Sequence, residues 1–333
     1  MNKRTFLFLT CALSLCLGML TVGHTQNNGN GNGNGPDSDI IKHRIKDNNG
    51  NGNGPDTSLT AGTTGTVTPQ ITYHNGPLIS TPVIYYIWYG NWNQAGTSNT
   101  AAGQKILQDF ARTIGGSSHY AINTSYSTNG YTITSNVLFG GETTVGYTKG
   151  TSLSDAQIQQ VVFEAINHTN GNLPYDASGV YFVLTSSDVT ASSGFCTQYC
   201  GWHTSAASTF GGRVRYSFVG NAARCISSCA AQATGPNGNG GVDGMVSIIT
   251  HELEESATDA DPGSAPGWYD RRGAENADKC AWTFGSAVSG PVGAQWNVQL
   301  GTGTALQRNY LIQRNLKFIS GGSKCYVNNA GQQ

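Results

Sequence analysis

The chain has 333 residues, with 18 Lys+Arg against 19 Asp+Glu, a formal charge of -1 and only 11% charged residues. So little charge leaves no basic footprint for a phosphate backbone, which excludes nucleic acid as a partner. The 38% hydrophobic and 10% aromatic content excludes a solvated disordered chain too, because that much apolar surface builds a core.

Lys3 and Arg4 precede an apolar run from Phe6 to about Val22, the pattern of a secretory signal peptide over residues 1–25. No cluster of basic residues follows as a stop-transfer flank, so a membrane anchor is the weaker reading and no membrane contact is expected after cleavage. Residues 26–57 carry two near-copies of one phrase, NNGNGNGNGPDSD and NNGNGNGPDT, and read as an Asn/Gly-rich flexible linker. The remainder, 58–333, is expected to fold as a single domain. Its six cysteines, Cys196, Cys200, Cys225, Cys229, Cys280 and Cys325, predict three disulfides in an exported chain, with the pairing left open.

Val83 to Tyr89 is apolar on both faces and stops at Gly90, as a buried central strand does. Ile106, Leu107, Phe110 and Ile114 fall at helical spacing across 101–114. Asn129-Gly130 reads as a hairpin turn before a strand from Tyr131 to Phe139. Ser154-Asp155-Ala156-Gln157 is a capping box opening a helix that runs to about Asn170. Val180 to Leu184 predicts a third buried strand, and the alternation from Arg213 to Val219 predicts a half-exposed edge strand. Met245, Ile249 and Leu253 recur every four residues in a helix over 243–258, closed by Asp259, Pro262 and Gly263. The fold class is therefore α+β: a mixed α/β sheet packed with helices, including a zincin-like active-site helix, and stabilised by disulfides.

The chemistry is concentrated in the acidic region at 243–280. Eight of the 19 acids lie in residues 252–278, among them Glu252, Glu254, Glu255, Asp259, Asp261, Asp270, Glu275 and Asp278. His251-Glu252-Leu253-Glu254-Glu255 reads H-E-x-x-E. His251 and Glu255, four apart on a helix, project from one face and can grip one cation. Glu252 sits about 100° round the helix, where it can polarise a metal-bound water without being a ligand. This is the arrangement of H-E-x-x-H zinc hydrolases with a carboxylate in place of the second histidine. Glu275, 20 residues after Glu255, is the expected third ligand. Asp278 is placed to hydrogen-bond the far nitrogen of His251. Asp261 is the rival third ligand. His74 and His203 are candidates to line the site, though each reads more simply as a hydrogen-bonded structural residue. Trp88, Tyr89, Trp92 and Trp202 read as core before they read as a sugar-stacking platform.

Tyr73-His74-Asn75-Gly76-Pro77-Leu78 followed by Ile87-Trp88-Tyr89-Gly90 resembles the start of the plant phosphate-induced, or EXORDIUM-like, protein family. So do Val183-Leu184-Thr185-Ser186 with Asp188-Val189, then Gly194-Phe195-Cys196 with Cys200-Gly201 and His203. Pro236-Asn237-Gly238 and Gly241-Val242-Asp243-Gly244-Met245 continue the series in order. The resemblance covers about residues 72–328 and implies secretion to the cell wall or extracellular space. Its acidic region is similar here too, in His251-Glu252-Leu253 with Glu255, Trp268-Tyr269, Glu275, Ala277-Asp278 and Cys280, which favours Glu275 over Asp261. The Asn/Gly linker departs from the plant pattern, so a plant growth role does not transfer.

These readings combine into an expectation of a secreted zinc-dependent hydrolase, acting on an extracellular peptide. His251, Glu255 and Glu275 would hold Zn²⁺ while Glu252 activates water. The alternative is a non-catalytic binding protein for extracellular or cell-wall material, with a structural ion, for which Ca²⁺ also suits the carboxylates.

Overall fold

A six-stranded mixed sheet organises the molecule. In the computed structural model the described residues are 41–45, 70–128, 130–290 and 293–333. The strands are β1 (Ile41–Arg44), β2 (Val83–Tyr89), β3 (Leu138–Val145), β4 (Gly179–Thr185), β5 (Tyr199–Ala207) and β6 (Arg213–Val219), in the order β1-β5-β6-β4-β2-β3. The four strands β6, β4, β2 and β3 run parallel, whereas β5 is antiparallel to β6 and β1 antiparallel to β5. The signal peptide lies outside the described residues, as does all of the Asn/Gly stretch except 41–45. Within that stretch Ile41–Arg44 is a strand, in register with β5 from His203 to Tyr199. Between the two Asn/Gly tracts stands Ile40-Ile41-Lys42-His43-Arg44-Ile45, which has the apolar residues those tracts lack.

Three long helices pack on the sheet among the described residues: α1 (Ala101–Thr113), α2 (Asp155–Ile166) and α3 (Gly240–Thr258). Thr100 caps α1 by accepting from the Gly103 N–H, and Ser154 with Gln157 forms the expected capping box of α2. The β2 and β4 strands are buried along almost their whole length, as helix-covered parallel strands require. Trp88, Tyr89, Trp92 and Trp202 all belong to this core.

Two strands differ from expectation. The strand expected from Tyr131 begins at Leu138 and continues through Gly140-Gly141 to Val145. A Cβ on Gly140 would lie 2.4 Å from the Tyr85 ring, at the point where the β2–β3 register shifts. The glycines therefore accommodate a bulge and do not end the strand. The segment Arg213–Val219 is an interior strand covered by β5. Its polar alternation comes from Arg213 and Arg215, which reach out to Asp261.

The six cysteines form three bridges, Cys196–Cys225, Cys200–Cys229 and Cys280–Cys325. The first two fasten β5 and the loop before it to the short helical segment 222–229, which packs on α3. The third fastens the acidic loop to the C-terminal hairpin formed by β7 (Asn315–Ile319) and β8 (Gly322–Tyr326).

Candidate metal centre

Asn239 starts α3, its side chain accepting from the Val242 N–H at 3.2 Å, and Asp259 ends it. Met245, Ile249 and Leu253 enter the core as their spacing requires. The rest of the helix is covered as well, so that His251, Glu252, Glu254 and Glu255 are all fully buried. Charged side chains almost never occupy such positions unless they are paired or bind a cation.

Glu254 turns away from the others. Its Oε1 accepts from Asn123 Nδ2 at 3.3 Å and faces His119 Nε2 at 3.3 Å. The remaining three meet side chains from two other parts of the chain. From β5 comes His203, whose Nδ1 lies 3.4 Å from Glu252 Oε2 and 3.5 Å from Glu255 Oε2. From the acidic loop come Glu275, 3.8 Å from His203 Nε2, and Asp278, whose Oδ1 is 3.5 Å from His251 Nε2. His251 Nε2 is also 2.9 Å from Glu255 Oε1, and that oxygen accepts the Asp278 backbone N–H at 3.1 Å. Among the described residues, two sets have donor atoms close enough to share an ion: His203 with Glu255 and Glu275, and His251 with Glu255 and Asp278.

The electrostatics follow from crowding four carboxylates and two imidazoles into one buried space. Burial pushes the Glu252 carboxyl up to about 7, against the pull of His203. Burial also drives Glu275 well above the usual carboxylate range, helped by the negative charges of Glu255 and Asp259. It would raise Glu255 too, but His251 and His203 hold that group down at about 2. Burial works against a charged His203, and Glu252 and Glu255 overcome it, lifting the imidazole to about 10. Meanwhile His203 Nε2, His251 Nε2, Glu252 Oε1, Glu255 Oε2 and both oxygens of Glu275 make no hydrogen bond. Orphaned buried polar atoms are costly one at a time, and six in one cluster fit a divalent cation, which would satisfy several together. The donor set of imidazole and carboxylate oxygen suits Zn²⁺, and its oxygen-rich part also suits Ca²⁺.

The predicted site residues are thus placed as follows. His251, Glu252, Glu255, Glu275 and Asp278 come together in one buried cluster. Glu275 shares an ion-sized gap with Glu255 and His203; His251 shares the other with Asp278. Asp278 faces Nε2 of His251 and not its far nitrogen, Nδ1, which meets the Gln313 side chain instead. The rival Asp261 stands outside the cluster because Arg215 binds it bidentately, Nε to Oδ1 at 3.0 Å and Nη2 to Oδ2 at 3.1 Å. His74 is exposed and stacks on Tyr269, with ring centroids 3.8 Å apart. His203, which reads more simply in the sequence as a structural residue, touches three of the four carboxylates. The β5 strand places it there, with Gly201 and His203 on one face because successive side chains alternate. Gln313 lies in no motif.

The phosphate-induced protein 1 conserved region matches residues 71–318. EXORDIUM-like 3 from Arabidopsis thaliana is 31% identical over 283 residues, covering 73% of this chain and 79% of the relative. EXORDIUM-like 5 from the same plant is 31% identical over 254 residues, covering 66% of each. No solved structure gives a significant match. The matched region contains β2 to β6, all three helices and every residue of the buried cluster, and on that basis the chain belongs to the phosphate-induced, EXORDIUM-like protein family.

Proposed function

We propose that this chain is a secreted EXORDIUM-like protein whose buried cluster binds a divalent cation as an internal brace, and whose work is to bind extracellular or cell-wall material. The ion, Zn²⁺ with Ca²⁺ as the alternative, would tie α3, β5 and the acidic loop together. One observation carries this reading: His203, His251, Glu252, Glu255 and Glu275 expose no more than 1% of their surface. A catalytic ion keeps an open position for water and substrate, whereas a structural one is closed by protein donors. Three disulfides, which persist in oxidising compartments, support export.

The test is metal content of the purified protein by mass spectrometry, followed by melting with and without chelator. About one ion per chain and a lower melting temperature after its removal are the expected results. No bound metal, or an unchanged melting temperature in the apo protein, overturns the reading.

A zinc-hydrolase reading has one observation in its favour. Glu252 has an oxygen without a partner beside the cluster, and its carboxyl lies near 7, where a general base works best. Water would have to reach it, and Asp278, with 9% of its side chain exposed, is the most exposed member of the cluster. On this reading Glu252→Gln abolishes peptide cleavage and leaves the metal bound; no cleavage by the metal-loaded wild type removes it.

A further inference from the structure

Glu255 belongs to both ion-sized gaps, so the cluster poses a choice between its two histidines. We propose that the ion sits between His203, Glu255 and Glu275, with Glu252 beside it, and that His251 is a positioning residue that sets its protonated Nε2 against Glu255. This rests on the metal-binding reading above and specifies the ligands within it.

The Gln313 amide decides the question. Its Oε1 accepts the Trp282 backbone N–H at 3.0 Å, which turns its NH₂ group towards His251 Nδ1. An amide NH₂ donates and has no lone pair to offer, so Nδ1 must be the accepting nitrogen. A neutral imidazole that accepts at Nδ1 carries its proton on Nε2. That nitrogen lies 2.9 Å from Glu255 Oε1 and 3.5 Å from Asp278 Oδ1, close enough to pair with their charge but not aligned as a hydrogen bond to either. A protonated Nε2 has no lone pair for a metal. His251 therefore stands against the Glu255 oxygen that accepts the Asp278 N–H, and the other oxygen points at His203.

The second, independent observation is the distribution of unsatisfied atoms. Of the cluster's buried atoms without a hydrogen bond, five lie on the His203 side, namely Glu255 Oε2, both oxygens of Glu275, Glu252 Oε1 and His203 Nε2, against His251 Nε2 alone on the other; all belong to residues at least 99% buried. The two oxygens of Glu255 thus divide their work. Oε1 accepts the Asp278 N–H and has His251 beside it, and Oε2 is left for the ion. This is the usual relation between a ligating carboxylate and the hydrogen bonds that orient it. The H-E-x-x-E phrase then supplies a ligand through its last residue and an orienting group through its first.

The experiment uses the full-length mature protein loaded with Zn²⁺ alone. X-ray absorption at the zinc edge counts coordinated imidazoles, and one is expected; two overturns the assignment without needing any variant. Zinc affinity is then measured for His203→Gln and His251→Gln, with near-UV circular dichroism confirming the fold. His203→Gln is expected to weaken binding by at least about a hundredfold. His251→Gln, which keeps an N–H donor near Glu255, is expected to weaken it by about tenfold with the imidazole count still one. The reverse ranking of the variants overturns the proposal while leaving a metal centre in place. A wild type that binds no zinc overturns both this assignment and the metal-centred reading beneath it.

Discussion

His203 Nδ1 lies 3.4 Å from Glu252 Oε2, although the two residues are 49 apart in the chain. Strand and helix approach this closely because Gly201, two residues before His203, has no side chain. A Cβ there would fall 2.6 Å from Ile248 Cγ2 and 3.0 Å from both Glu252 Oε1 and the Phe218 carbonyl. Gly201→Ala should cost about 1–3 kcal/mol through overpacking, read as a lower urea midpoint. It should also weaken metal binding, because α3 must move away from β5. A variant as stable as wild type, with unchanged metal affinity, would show that the interface has slack.

The Cys280–Cys325 bridge connects the acidic loop to the C-terminal hairpin across a sequence separation of 45 residues. Loop-closure entropy for that separation is worth about 4 kcal/mol in the chain-entropy treatment. Replacing both cysteines with serine should reduce unfolding free energy by that order. Because Glu275 and Asp278 sit on the tethered loop, metal occupancy should fall as well. Serine replacement of Cys196 and Cys225 removes a bridge that does not tether this loop and should spare metal binding more.

Part of this arrangement is legible in the sequence, for physical reasons that differ residue by residue. The period of Met245, Ile249 and Leu253 fixes a helix with a core face, and the spacing of His251 and Glu255 places them together whatever the fold. The capping box at Ser154 is equally local. His203 is different: a strand residue reveals its face only once its neighbours are known, and β5 meets α3 through contacts distant in sequence. Gln313 enters from a segment near the C-terminus and acts through a single amide, which no spacing rule detects. The strand at Leu138–Val145 was obscured because glycine at a bulge and glycine at a strand end look alike in sequence.

Asp261 is buried and held by Arg215, with Arg213 3.5 Å away. Arg215→Met should leave the buried carboxylate with only the longer Arg213 contact and cost up to about 3–5 kcal/mol, whereas Asp261→Asn in the same background should recover part of the loss. Neither change should alter metal content, since Asp261 is committed to the arginine. Loss of the ion in Asp261→Asn, with the fold intact, would return Asp261 to the list of ligands.

The pair formed by His119 and Glu254 gives a pH dependence separate from the metal. His119 is fully buried; its Nδ1 donates to the Val327 carbonyl at 2.6 Å and its Nε2 faces Glu254. Burial alone would lower the imidazole pKa, but the Glu254 charge outweighs it, and the value rises above 6.5. The folded state therefore binds this proton more tightly than the unfolded state does. The resulting stabilisation is complete below about pH 6.5 and is lost as pH rises through the folded value. Each tenfold gain in proton affinity is worth about 1.4 kcal/mol. The stability difference between wild type and His119→Gln, measured by urea unfolding with metal held saturating, should therefore shrink between pH 6 and pH 9. Comparing the two proteins cancels the titration of His203, which both retain. A difference that stays constant across this range would mean that His119 is neutral in the fold and acts only through its hydrogen bond to Val327.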